Sequence, residues 1–78
     1  MDVPILLPDF DLDGPVRVCQ WLAARGATVI EGDRLLEVVC GEVMVEVSAP
    51  VTGQLVRHQV GESDLVQAGD ELGWIQPE

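Results

Sequence analysis

The chain has 78 residues, a formal net charge of −10 and four basic side chains, all of them arginine, so it contains no lysine. At this length roughly 60 to 65% of the unfolded surface can be buried, which predicts one domain over residues 1–78 with a compact aliphatic core and argues against a multistep enzyme. The charge argues against nucleic acid or an anionic membrane as partner and points instead to a protein with a basic surface.

In chain order, Val3 to Leu7 reads as a short apolar strand closed by Pro8. Asp9 to Pro15 is a loop rich in turn formers, with Phe10 or Leu12 expected to tuck beneath it. Val16 to Ala23 alternates Val16, Val18 and Gln20 against Arg17, Cys19 and Trp21, which predicts a strand without deciding its inward face. A single helical turn over Leu22 to Ala24 is the competing reading.

The central stretch, Leu35 to Pro50, reads as one β-hairpin with its turn at Gly41-Glu42. Glycine at the first turn position suits type II′, whose twist matches the flanking strands. The register pairs Cys40 with Val43, Val39 with Met44, Val38 with Val45, Glu37 with Glu46 and Leu36 with Val47. It collects Leu36, Val38, Cys40, Val43, Val45 and Val47 on an inner face and Glu37, Glu46 and Ser48 on an outer one. Val39 and Met44 break the pattern as an apolar pair on the outer face. Glu42 is left at the tip in water.

The remainder repeats itself. Gly26-x-x-Val29-x-x-Gly32-Asp33-x-Leu35 returns as Gly61-x-x-x-x-Val66-x-x-Gly69-Asp70-x-Leu72, read with two extra residues in the second copy. Two similar halves around a hairpin predict a pseudo-symmetric all-β fold, a flattened barrel or sandwich in which neither half is complete alone. Leu55 to Val60 and Glu71 to Gln76 supply the last strands, and almost no helix is expected.

The ordered set VPILLPD, Trp21 five residues before Gly26, LLEV before the hairpin, VEVSAPVTG after it and VQAGDELGWI resembles the biotinyl/lipoyl attachment domain family. The resemblance implies a barrel-sandwich hybrid of two small antiparallel sheets, with a prosthetic group carried on a lysine at the hairpin turn. The family's turn is Asp-Lys-Ala or Met-Lys-Met, whereas this chain has Gly41, Glu42 and Val43. Lipoate and biotin are joined as amides to an ε-amine on a long flexible stem, and a carboxylate cannot be acylated in that way. The expectation is therefore a non-catalytic domain with no covalent cofactor, working as a recognition or scaffold module. The alternative is a carrier-type domain of a 2-oxo acid dehydrogenase or biotin-dependent complex whose acceptor has been lost or replaced. The lysine-less lipoyl-type domains of efflux-pump adaptors split their half-motifs with a long helical hairpin, but here Val39 to Val45 is continuous.

Other chemistry-bearing residues have plainer readings. Cys40 beside the turn would serve a thiol enzyme only with a base within reach, and its inward register makes it a small hydrophobe. Glu37 facing Glu46 would make a cation site or a mildly repulsive exposed pair. His58 has no partner at catalytic or metal-ligand spacing, and Trp21 and Trp74 read as core or core-edge groups. Asp9, Asp11, Asp13 and Gly14 match the opening of a calcium loop, but its closing glutamate would fall at Gln20 in a strand. No metal is expected. Two cysteines form no disulfide framework. MDVPILLPDF lacks the flank and length of a signal peptide, and no stretch nears about 18 apolar residues, so the expected location is cytoplasmic.

Overall fold

A computed structural model describes residues 1–11 and 13–78. Leu12, one of the two residues expected under the first loop, lies outside the described residues, while Phe10 packs against the core. The strands are β1 (Val3–Leu6), β2 (Val16–Trp21), β3 (Thr28–Val29), β4 (Arg34–Cys40), β5 (Val43–Ser48), β6 (Gly53–His58), β7 (Leu65–Val66) and β8 (Glu71–Pro77). They form two four-stranded antiparallel sheets ordered β1-β8-β6-β3 and β5-β4-β2-β7. Among the described residues there is no helix. Leu22 and Ala23 form a bend, so the competing helical turn does not occur.

The two sheets are related by a pseudo-twofold that superimposes β2 to β4 on β6 to β8 with a constant offset of 37 residues, as from Leu35 to Leu72. The backbone hydrogen bonds repeat at that spacing. Leu22 N donates to Leu35 O at 2.7 Å and Gln59 N to Leu72 O at 2.9 Å; Ala27 N donates to Ala24 O and Asp64 N to Gly61 O, both at 3.1 Å. The repeated Gly-Asp pairs make the same turn twice: the Asp33 carboxylate accepts from Ile30 N at 2.9 Å and the Asp70 carboxylate from Gln67 N at 2.8 Å. Gly32 and Gly69 occupy the left-handed region there, at φ 92° and 89°, where L-residues are disfavoured.

One equivalence differs from the expected repeat. With no insertion between the copies, the counterpart of Gly26 (φ 94°) is Ser63 (φ 72°), and Gly61 instead matches Ala24. Matching glycine with glycine in the sequence mistook two different turn positions for one, because the left-handed position in the second copy is filled by serine.

The halves exchange their short strands: β3 pairs with β6 and β7 with β2, so each sheet is completed by the opposite half. The core is shared in the same way. Leu35 and Leu72, Val18 and Leu55, Val29 and Val66, and Val38 and Ile75 are equivalent pairs, and all are buried. Bulges follow the symmetry too. Cys19 is skipped in the β2 to β4 ladder and Val56 in the β6 to β8 ladder. The Cys19 bulge explains the undecided face of β2, since it lets Val18 and Trp21 turn inward although three positions apart.

At the junction of the halves the Trp21 and His58 rings, themselves 37 residues apart, stack with centroids 4.0 Å apart and planes 9° apart. Trp21 Nε1 donates to Val60 O at 2.7 Å. His58 Nε2 lies 3.1 Å from Ala23 O, an atom that can only accept, so this nitrogen carries the proton. Val60 and Ala23 are again 37 apart, which makes the two bonds mates. The indole is the larger ring, and room for it comes from Gly73, the counterpart of the buried Leu36: a Cβ at Gly73 would stand 3.0 Å from Trp21 Cη2 and 2.5 Å from Arg57 O.

Gly73→Ala should therefore destabilise the fold by about 1 to 3 kcal/mol, the usual range for forcing a methyl into packed atoms. Urea unfolding followed by tryptophan fluorescence measures it, and a shift below about 0.5 kcal/mol, the range of inert surface changes, would refute this packing account.

Candidate functional site

The hairpin forms with every expected pair: Cys40 with Val43, Val39 with Met44, Val38 with Val45, Glu37 with Glu46 and Leu36 with Val47. Gly41 has φ 61°, and Glu42 is not among the residues with positive φ. A type I′ turn needs positive φ at both central positions and type II′ only at the first, so the turn is type II′. Glu42 is exposed at the tip. Val43 departs from expectation: assigned to the inner apolar set, it is 47% exposed and, beside the turn, does not pack against the core cluster.

The tip is braced from one side. Cys40, 6% exposed, points its Sγ at Asp13 O at 3.2 Å and at Gly14 O at 3.8 Å. The thiol thus acts as a weak donor that holds the loop before β2 against the turn end of the hairpin. Within that loop the Asp9 carboxylate accepts from Asp11 N at 2.9 Å, a turn-forming use of a side chain offered as a calcium ligand. Among the described residues no three His, Cys, Asp or Glu side chains converge as metal ligands.

Glu37 and Glu46 face each other as expected, and each has a different partner. Gln20 Nε2 donates to Glu37 Oε1 at 2.7 Å, and Arg34 Nη1 meets Glu46 Oε2 at 3.0 Å. With side chains 68% and 38% exposed, the ion pair contributes at most about 1 kcal/mol. These carboxylates line a shallow open groove with Asp33, Thr28 and Leu22. His58 belongs to the stack described above, Trp21 is half-buried at the core edge, and Trp74 is half-buried on the outer face of its sheet, opposite Pro4 and Arg57. Among the described residues no helix is long and apolar enough to cross a membrane.

A family model described as "Biotin-requiring enzyme", covering biotin and lipoyl attachment, matches residues 10–75. The fold is similar to the solution structure of the lipoyl domain of the 2-oxoglutarate dehydrogenase complex from Azotobacter vinelandii, with a TM-score of 0.74 and 24% sequence identity over 95% of each chain. No curated protein matches the chain. The residues at the hairpin tip do not fit an amide-linked prosthetic group: the exposed side chain is the carboxylate of Glu42, and no lysine ε-amine exists anywhere in the chain.

Cys19 and Cys40 are both free, and their accessibility separates them. Native thiol titration should modify half-buried Cys19 first, with Cys40 reacting only on the timescale of unfolding. Equal rates for the two, or a disulfide found before reduction, would contradict this arrangement.

Proposed function

Because the chain belongs to the biotinyl/lipoyl attachment domain family, we propose that it is a degenerate member, a non-catalytic domain with no covalent cofactor that works as a protein-recognition or scaffold module. The observation that carries this reading is Glu42 at the exposed tip of an otherwise well-formed hairpin, in a chain without lysine. Attachment needs an uncharged ε-amine to attack an activated acyl group, and a carboxylate offers neither that nucleophile nor the flexible stem. Gly41 and Val43 also differ from the family's turn, so the departure extends over all three positions. The partner is a protein with a basic surface, matched to the charge of −10; nucleic acid and anionic membrane are disfavoured by the same charge. Two unpaired cysteines suit a reducing compartment, the cytoplasm.

The second reading is a carrier-type domain in a 2-oxo acid dehydrogenase or biotin-dependent complex whose acceptor has been replaced. Its support is the close agreement of fold with a lipoyl domain. A turn that regains modification when only its side chains are changed would favour it.

Incubated with lipoate and biotin ligases, the chain should show no added mass; an adduct on an internal residue would overturn the first reading. Glu42→Lys should fold with a stability change within about 0.5 kcal/mol, as for exposed turn substitutions, and be labelled poorly. Adding Gly41→Asp and Val43→Ala should raise labelling above the single variant in a timed reaction read by intact mass. A triple variant that folds and is never labelled would count against replaced attachment as the origin of this turn.

A further inference from the structure

Residues opposite one another in an antiparallel ladder share a face, so the registers define rows that cross each sheet. One row on the outer face of the β5-β4-β2-β7 sheet runs Met44, Val39, Arg17, Leu65 across all four strands. Met44 is 57% exposed, Leu65 is 61% exposed and Val39 is half-buried. Arg17 Nη1 donates to Ser63 O at 2.9 Å, so its charged end is engaged within the chain.

The pseudo-twofold supplies a comparison within the same molecule. At the offset of 37 residues, Val39, Arg17 and Leu65 correspond to Gln76, Gln54 and Thr28, which form the same row of the other sheet. All three are exposed and polar. The scaffold thus accepts polar side chains at these positions, and folding does not demand the apolar ones. Exposed apolar side chains that the fold does not require mark a surface used for contact. Glu37 and Glu46 form the neighbouring row on one side, and Glu42 stands at the tip on the other.

We propose that this row is the docking face for a protein segment that places an apolar side chain between lysine or arginine residues. The inference rests on the recognition reading above and names the surface. Charge complementarity selects the occupant: carboxylates flank the row in a chain of net charge −10, and a second copy would bring the same charge against it. The apolar row supplies the anchor, and the flanking charges supply orientation and encounter rate.

The test titrates the 15N-labelled 78-residue chain with octapeptides alternating leucine and lysine, serine and lysine, or leucine and glutamate. The leucine–lysine peptide should shift the amides of Arg17, Val39, Met44 and Leu65 most and leave Thr28, Gln54 and Gln76 nearly unmoved. Val39→Thr, Met44→Ser and Leu65→Ser combined should weaken its binding at least about tenfold. Met44→Ser and Leu65→Ser alone, at the two ends of the row, should each weaken it about threefold. Equal binding of the serine–lysine peptide, shifts spread over both sheets, absence of binding, or a dimer of the free chain that the substitutions dissolve would each overturn the proposal. Cofactor attachment is read separately by mass, so an adduct refutes the cofactor-free reading without touching the row, and a silent titration refutes the row without touching that reading.

Discussion

Everything in this fold depends on reciprocal exchange across one point. The Trp21 and His58 rings stack there at 4.0 Å, and each ring sends its N–H to a carbonyl near the other's strand. These two polar groups, half-buried where water has poor access, would cost about 1 to 3 kcal/mol each if left unpaired. Their satisfaction therefore requires both halves to be in place together. The short strands impose the same condition, since β3 and β7 have two residues each and are held by ladders of the opposite half. Neither half can bury Leu35 or Leu72 without the other.

The symmetry also separates what the scaffold requires from what it merely permits. Positions that must be alike are alike: Gly32 and Gly69 take left-handed backbone, Asp33 and Asp70 close those same turns, and the buried aliphatics match pair by pair. Where the ring sizes differ, the difference is absorbed locally by exchanging Leu36 for Gly73. Departures with no such compensation lie on the surface. The Met44, Val39, Arg17, Leu65 row is one of them, set against the polar Gln76, Gln54 and Thr28, and it lies beside the hairpin tip where Glu42 stands.

The facing Glu37 and Glu46 are opposed across the ladder but partnered separately. Opposed carboxylates would repel if each stood alone. Gln20 of β2 reaches Glu37, and Arg34 of β4 reaches Glu46 on β5, so each glutamate has its own partner. Cys40 is partnered too, because a thiol beside the turn is occupied in holding the preceding loop.

Much of this was legible in the linear order of residues, for a local reason. A period of two with one glycine at the turn admits a single register that buries the aliphatics of both strands, so the hairpin from Leu36 to Val47 and the exposed position of Glu42 follow from sequence alone. The all-β architecture follows from turn signals and the repeat, and the absence of lysine is a matter of composition. Contacts between distant segments decided the rest. The stack of Trp21 on His58 joins residues 37 apart that carry no mutual signal in sequence, and the equivalence of Gly26 with Ser63 rests on a backbone angle that residue identity conceals. The inward turn of Trp21 depends on a bulge at Cys19, and the exposure of Val43 on its position beside the turn, outside the core cluster. The outer row exists only once β7 from one half lies beside β2 from the other, because a face is a property of paired strands and pairing between halves is chosen by the shared core.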